Sequence, residues 1–165
     1  MKSFNSNDAA VKLALAGALL LALSIPAFAV LGDNAASVLT DQARMKGTLH
    51  SVDNQTYVLH EITAPTGAEV REYVTPGGAV FGVAWEGQFP PNFEQLLGPY
   101  YQQAQEAIAQ KKAAQESSQT PRRRGPVFID TPGLVFAQSG HMHSFHGMAY
   151  VPQLIPQGVK SSDIH

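Results

Sequence analysis

The sequence has no cysteine. That excludes disulfides, a thiolate nucleophile and lipid attachment at a cysteine behind a leader, so stability has to come from packing. Charge is also scarce: 15% of the residues are charged, with 11 basic against 13 acidic. Nothing here supplies the basic face that nucleic-acid phosphates require. There is no glycine-rich loop followed by lysine to cradle a phosphate, and no Gly-x-Ser-x-Gly elbow to present a serine nucleophile. What the chain does have is apolar content, 44% of 165 residues, which suits one small globular domain.

The first residues are of another kind. Lys2 and Lys12 precede the apolar run Leu13–Leu23, Pro26 ends it, and Ala27-Phe28-Ala29 follows. This is the three-part pattern of a signal peptide cleaved after Ala29. The alternative is a retained membrane anchor, but the run is well short of the ~20 apolar residues that span a bilayer. The twin-arginine route lacks its Arg pair. Cleavage predicts a periplasmic or secreted protein with no stable transmembrane segment. Taking Lys2, Lys12 and Asp8 away from 11 basic and 13 acidic residues leaves 9 and 12, a formal charge of −3.

Residues 30–165 are expected to form a single α+β domain. Ala35–Met45, capped by Asp33 or Asn34, is a short helix with Val38 and Leu39 on its packed side. Gly47–Val52 and Gln55–Thr63 read as a hairpin around Asp53-Asn54. Within the second strand, Val58 and Ile62 face one way and Tyr57 and Leu59 the other, as suits a central strand. Glu69–Thr75 and Ala79–Glu86 form a second hairpin about Thr75-Pro76-Gly77-Gly78, a type II turn with the positive φ at its third residue. Simple alternation then puts Phe81, Val83 and Trp85 on one bulky face. Val80, Gly82 and Ala84 leave the other open to close approach by a second backbone.

Pro90-Pro91 breaks the sheet pattern, and Asn92 with Gln95 makes a capping box for the main helix. Phe93, Leu96, Leu97, Tyr100, Tyr101, Ala104 and Ile108 recur every three or four residues as one apolar stripe. Pro99 predicts a kink or restart at Gly98-Pro99. Residues 115–126 are a polar exposed loop with Arg122-Arg123-Arg124 at its tip, a solvated cluster or a weak contact for an anionic lipid. Val127–Ile129 and Gly133–Ser139 are strands about the Asp130–Gly133 turn. Ser139-Gly140 reverses the chain into a last strand over His141–Val151, and the tail wraps the surface. The sum is an antiparallel sheet of about six strands with one main amphipathic helix packed on it.

The runs REYVTPGGAVFGVAWEGQFPPNFEQLLGPYY and SGHMHSFHGMAYVPQLIPQGV together resemble the bacterial family known as domain of unknown function (DUF) 2844. The resemblance covers most of the chain after its first thirty or so residues. It implies no activity, ligand or catalytic residue.

The residues themselves offer few constellations. Glu69 and Glu72, three apart on a strand, fall on opposite faces and make no glycosidase pair. Ser139 near His141 suggests a nucleophile and base, but no third orienting group is visible, which leaves hydrolase a distant third reading. Tyr100 and Tyr101 are either core or the wall of a ligand groove. His141 and His143, on one strand face, could share a transition metal, with His146 turned away and a third ligand required from His50 or His60. Otherwise the pair is a polar surface feature. The leading expectation is an exported, non-enzymatic envelope protein that binds an unidentified protein or small ligand. The alternative is a periplasmic metal binder using His141 and His143.

Overall fold

The computed structural model describes residues 31–117 and 125–165. The leader through Ala29 and the arginine tip at 122–124 lie outside the described residues. The expected α+β architecture is present, with a sheet of seven strands instead of about six. These are β1 (Thr48–Asp53), β2 (Val58–Thr63), β3 (Glu69–Val74), β4 (Val80–Gly87), β5 (Val127–Thr131), β6 (Leu134–His141) and β7 (Ser144–Tyr150). Every pairing is antiparallel, in the order β1-β2-β3-β4-β7-β6-β5. Two meanders therefore meet at β4 and β7. Between them the chain crosses the sheet through α2 (Phe93–Leu97), a 3-10 turn at Gly98–Tyr100 and α3 (Tyr101–Ser117), while α1 (Ala36–Met45) precedes β1.

Local chemistry accounts for the helix boundaries. Asn92 Oδ1 accepts from Gln95 N at 3.2 Å, which is one half of the expected capping box; the Gln95 side chain goes to Asp41 instead of back to Asn92. The helix restarts after Gly98-Pro99, where the proline cannot donate a backbone bond. Ala36 N donates to Asn34 Oδ1 at 2.9 Å, but the N-cap of α1 is Ala35, which has no side-chain cap, so the helix starts without the cap expected from Asp33 or Asn34. On α1, Val38 is buried as expected, but Leu39 points outward and is 60% exposed.

Three turns differ from expectation, each with a structural reason. The β1–β2 connection spans Asn54–Tyr57, with Gln55 at φ 65° and its N–H held by Asp53 Oδ1, so β2 begins three residues late. In Thr75-Pro76-Gly77-Gly78 the positive φ belongs to Gly78 (86°), not Gly77, as in a hairpin loop that ends in a left-handed glycine. Beyond it the register slips: Tyr73 pairs with Gly82 but Val74 with Val80. This bulge makes Phe81 an extra residue in β4 and moves its side chain to the face opposite Val83 and Trp85, overturning the simple alternation. Last, β6 continues through His141, and the reversal is a two-residue turn at Met142-His143, not at Ser139-Gly140.

The sheet buries both faces. On one, α1, α2 and α3 cover Ile62, Val70, Val83, Trp85, Phe136 and Ala149. The whole stripe expected for the main helix packs there, from Phe93 to Ile108. On the other, Tyr57, Tyr73, Phe81 and Ala84 are covered by the tail through Leu154, Ile155, Val159 and Ile164. Over Gly82, where a second backbone was expected to come close, the space is taken by a side chain instead, Ile164, whose Cδ1 lies 3.1 Å from where a Cβ on Gly82 would stand. Tyr73 OH donates to His165 O at 2.9 Å and accepts from His165 N at 3.1 Å, and Arg71 Nη1 donates to the same carbonyl at 2.9 Å.

Candidate functional site

In β3 the residues Val70, Glu72 and Val74 alternate onto the helix face, so a carboxylate occupies the middle of an apolar row. Glu72 is 1% exposed. Opposite it, α1 turns Asp41 inward beside Val38 and Met45, a helical spacing of three and four, and Asp41 is 2% exposed. Gln95, one turn into α2, donates through Nε2 to Asp41 Oδ1. Two buried acids thus meet where α1, α2 and the sheet join.

Two ionised carboxylates cannot donate to one another. In that state both oxygens of Glu72 are buried without a donor, at a cost of roughly 1–3 kcal/mol or more for a charged group. Burial, then the Asp41 charge and a hydrogen bond to Asp41, push the Glu72 carboxyl up to about 8. Asp41 is raised by burial and held back by the bonds from Gln95 and Glu72 and, least of all, by the Arg44 charge. Both carboxyls are thus pushed toward their neutral forms, and the pair holds a proton at neutral pH. On β2, His60 pairs across from Glu72, its Nδ1 stands 2.7 Å from Ser51 Oγ, and burial lowers its pKa.

Asp41 and Gln95 form part of the wall of a cavity of about 500 Å³ that also involves Val70, Trp85, Phe89 and Leu96. Arg44, Glu69 and Glu86 stand around the same cavity. Trp85 is held from behind by Phe93, centroids 5.3 Å apart at 69°, and by Phe136 at 5.6 Å. Its Nε1 is buried without an acceptor among the described residues. Phe89, 71% exposed, stands at the cavity with its ring edge-on to His143 at 6.4 Å. A second hollow, about 640 Å³, lies on the tail side among Phe128, Ala137, His146, Met148 and Ile164.

The residues singled out from sequence fall elsewhere. His141 ends β6 opposite Ser144, while His143 occupies the turn at φ 65°, so the two do not share the strand face expected of them. His50 lies on β1 and His60 on β2, four and three strands from β7. His141 is on β6, one strand further still, so at about 4.8 Å per strand His50 and His60 stand roughly 24 and 19 Å from it across the sheet. Among the described residues no three His, Asp or Glu side chains are grouped to hold a metal. Tyr100 packs over Gly32, 2.9 Å from the position of a Cβ there, and both Tyr100 and Tyr101 pack against the helix-side core. Neither lines either cavity. Ser139 pairs across from His146, not His141. Glu69 and Glu72 do fall on opposite faces: Glu69 joins Arg71 at 2.6 Å on the tail side.

Asp41 and Glu72 were legible in part. An acid in the register of buried valines is a sequence signal, and so is an aspartate three residues after a buried valine on a helix. That the two meet was not.

Comparison with curated proteins finds no match, and neither does comparison with solved structures. No helix among the described residues is long and apolar enough to cross a membrane. The model of the family described as protein of unknown function (DUF2844) matches residues 27–164, nearly the whole chain beyond the leader, and the protein belongs to that family.

Proposed function

We propose that this is an exported, non-enzymatic binding protein that takes a small ligand in the cavity between α1, α2 and the β3–β4 end of the sheet. One observation carries the reading: a cavity of about 500 Å³ joins apolar walls from Val70, Trp85, Phe89 and Leu96 to the buried Asp41 carboxyl, the half-buried Gln95 and the buried, unpartnered Nε1 of Trp85. Ligand sites generally have this size and this division of labour, with apolar area for affinity and a few polar groups for orientation. Export rests on the leader at 1–29 and makes the envelope the place where the ligand is met.

A thermal-shift screen of small molecules tests the cavity, read beside Ala68→Phe, which places a ring in it. A binder should raise the wild-type midpoint and leave the variant unmoved. Equal shifts in both proteins would place binding elsewhere. Export is tested separately by intact mass from an envelope extract, expected to begin at Val30. A species that still carries Leu13–Leu23 would refute it.

A further inference from the structure

Trp85 lines this cavity, is only 4% exposed, and its Nε1 is buried without an acceptor among the described residues. An indole nitrogen can donate and never accept. Left unmade, a buried donor carries the desolvation cost of burial, and an acceptor brought by a ligand recovers it. The ring that bears this donor is fixed in place. Phe93 stands edge-on to it at 5.3 Å and Phe136 lies at 5.6 Å, while Gly147 makes room for its far edge: a Cβ there would lie 2.4 Å from Cζ2. A donor already held in one orientation loses little freedom when an acceptor arrives.

The rest of the lining decides the charge of that acceptor. The charged groups about the cavity are the acids Asp41, Glu69 and Glu86 and the cation Arg44, which is already engaged. A carboxylate or phosphate ligand would therefore be buried beside Asp41 against a like charge. An ammonium brings donors only and leaves Nε1 unmet. Val70, Phe89 and Leu96 offer apolar area for an uncharged body. We propose that the cavity takes a small uncharged carbonyl compound, its oxygen accepting from Trp85 Nε1 and its apolar body against Val70, Phe89 and Leu96. The proposal deepens the ligand-site reading and depends on it.

Trp85 is the only tryptophan of the sequence, so nitrogen-labelled protein shows a single indole N–H signal in its NMR spectrum, and that signal reports the bond directly. Three probes of one shape test the proposal: acetophenone, ethylbenzene, which has the same ring without the oxygen, and anionic benzoate. Acetophenone should move the indole proton downfield, and ethylbenzene should not. Benzoate should bind at least about tenfold more weakly than acetophenone. Ala68→Phe, which fills the cavity, should abolish the acetophenone shift. Trp85→Phe keeps a ring and removes the donor, and should weaken acetophenone relative to ethylbenzene by about fivefold or more. The wild-type signal decides without that variant. Equal shifts from acetophenone and ethylbenzene, or benzoate bound as tightly as acetophenone, would overturn the uncharged-carbonyl class and leave the cavity a ligand site. If none of the three binds, both readings fall.

Discussion

The helix face and the tail face of the sheet both bury a hydrophobic cluster, yet they are built differently. The helix face is wide, is covered by three helices, and holds Trp85, Phe93 and Phe136 in mutual contact together with two buried acids and a cavity. The tail face is narrow. Tyr57, Tyr73 and Phe81 form its aromatic cluster, and a segment with only short 3-10 turns closes it through Ile164 over Gly82. The tail side satisfies its buried polar group: Tyr73 OH both donates to and accepts from His165. On the helix side, Trp85 Nε1 and the ionised form of Glu72 are left wanting partners. Where a fold leaves buried polar groups short, stability has been given up, and such places often coincide with function.

The sharpest way to break this comparison is Trp85→Ala, expected to cost about 3–5 kcal/mol, as emptying a large aromatic site in a packed core does. Urea midpoints measure it. A loss under about 1 kcal/mol would mean that the helix face is not the main core. Next is Ile164→Ala, expected to cost about 2–5 kcal/mol if the tail is an integral layer. A wild-type midpoint would reduce the tail to a loose covering.

Glu72 sharpens the contrast in polar groups. Its pKa in the fold, about 8, stands above its ordinary 4.5. Folding therefore takes up a proton between those values, and the stabilisation from this group is fully present below pH 4.5. It is lost as pH rises toward 8, by at most about 1.4 kcal/mol per pH unit. Glu72→Gln should flatten that slope in denaturation curves taken from pH 5 to 8. Parallel slopes in the two proteins would show that Glu72 is ionised throughout. The smallest effect belongs outside both cores: Leu39→Ser, at an exposed position of α1, should change stability by less than about 0.5 kcal/mol. A larger loss would mean that Leu39 is covered.

The reading from sequence succeeded where signals are short-range. The Asn92–Gln95 cap, the restart at Pro99 and the outward split of Tyr57 and Leu59 from Ile62 each depend on residues within a turn or two. It failed by one to three residues at turns, with large consequences. Two extra residues in β6 took His143 off the strand, and one bulged residue sent Phe81 to the tail side. Because side chains alternate along a strand, a slip of one residue exchanges faces.

By itself, then, the sequence determined the elements, the apolar faces that had to be covered and the absence of any covalent staple, since these follow from neighbouring residues and composition. Only the tertiary structure decided that β4 pairs with β7, that the tail fills the space over Gly82, and that Asp41 meets Glu72 beside a cavity. Those pairings join segments far apart in the chain, and no local propensity or spacing encodes which distant surface will supply the missing partner.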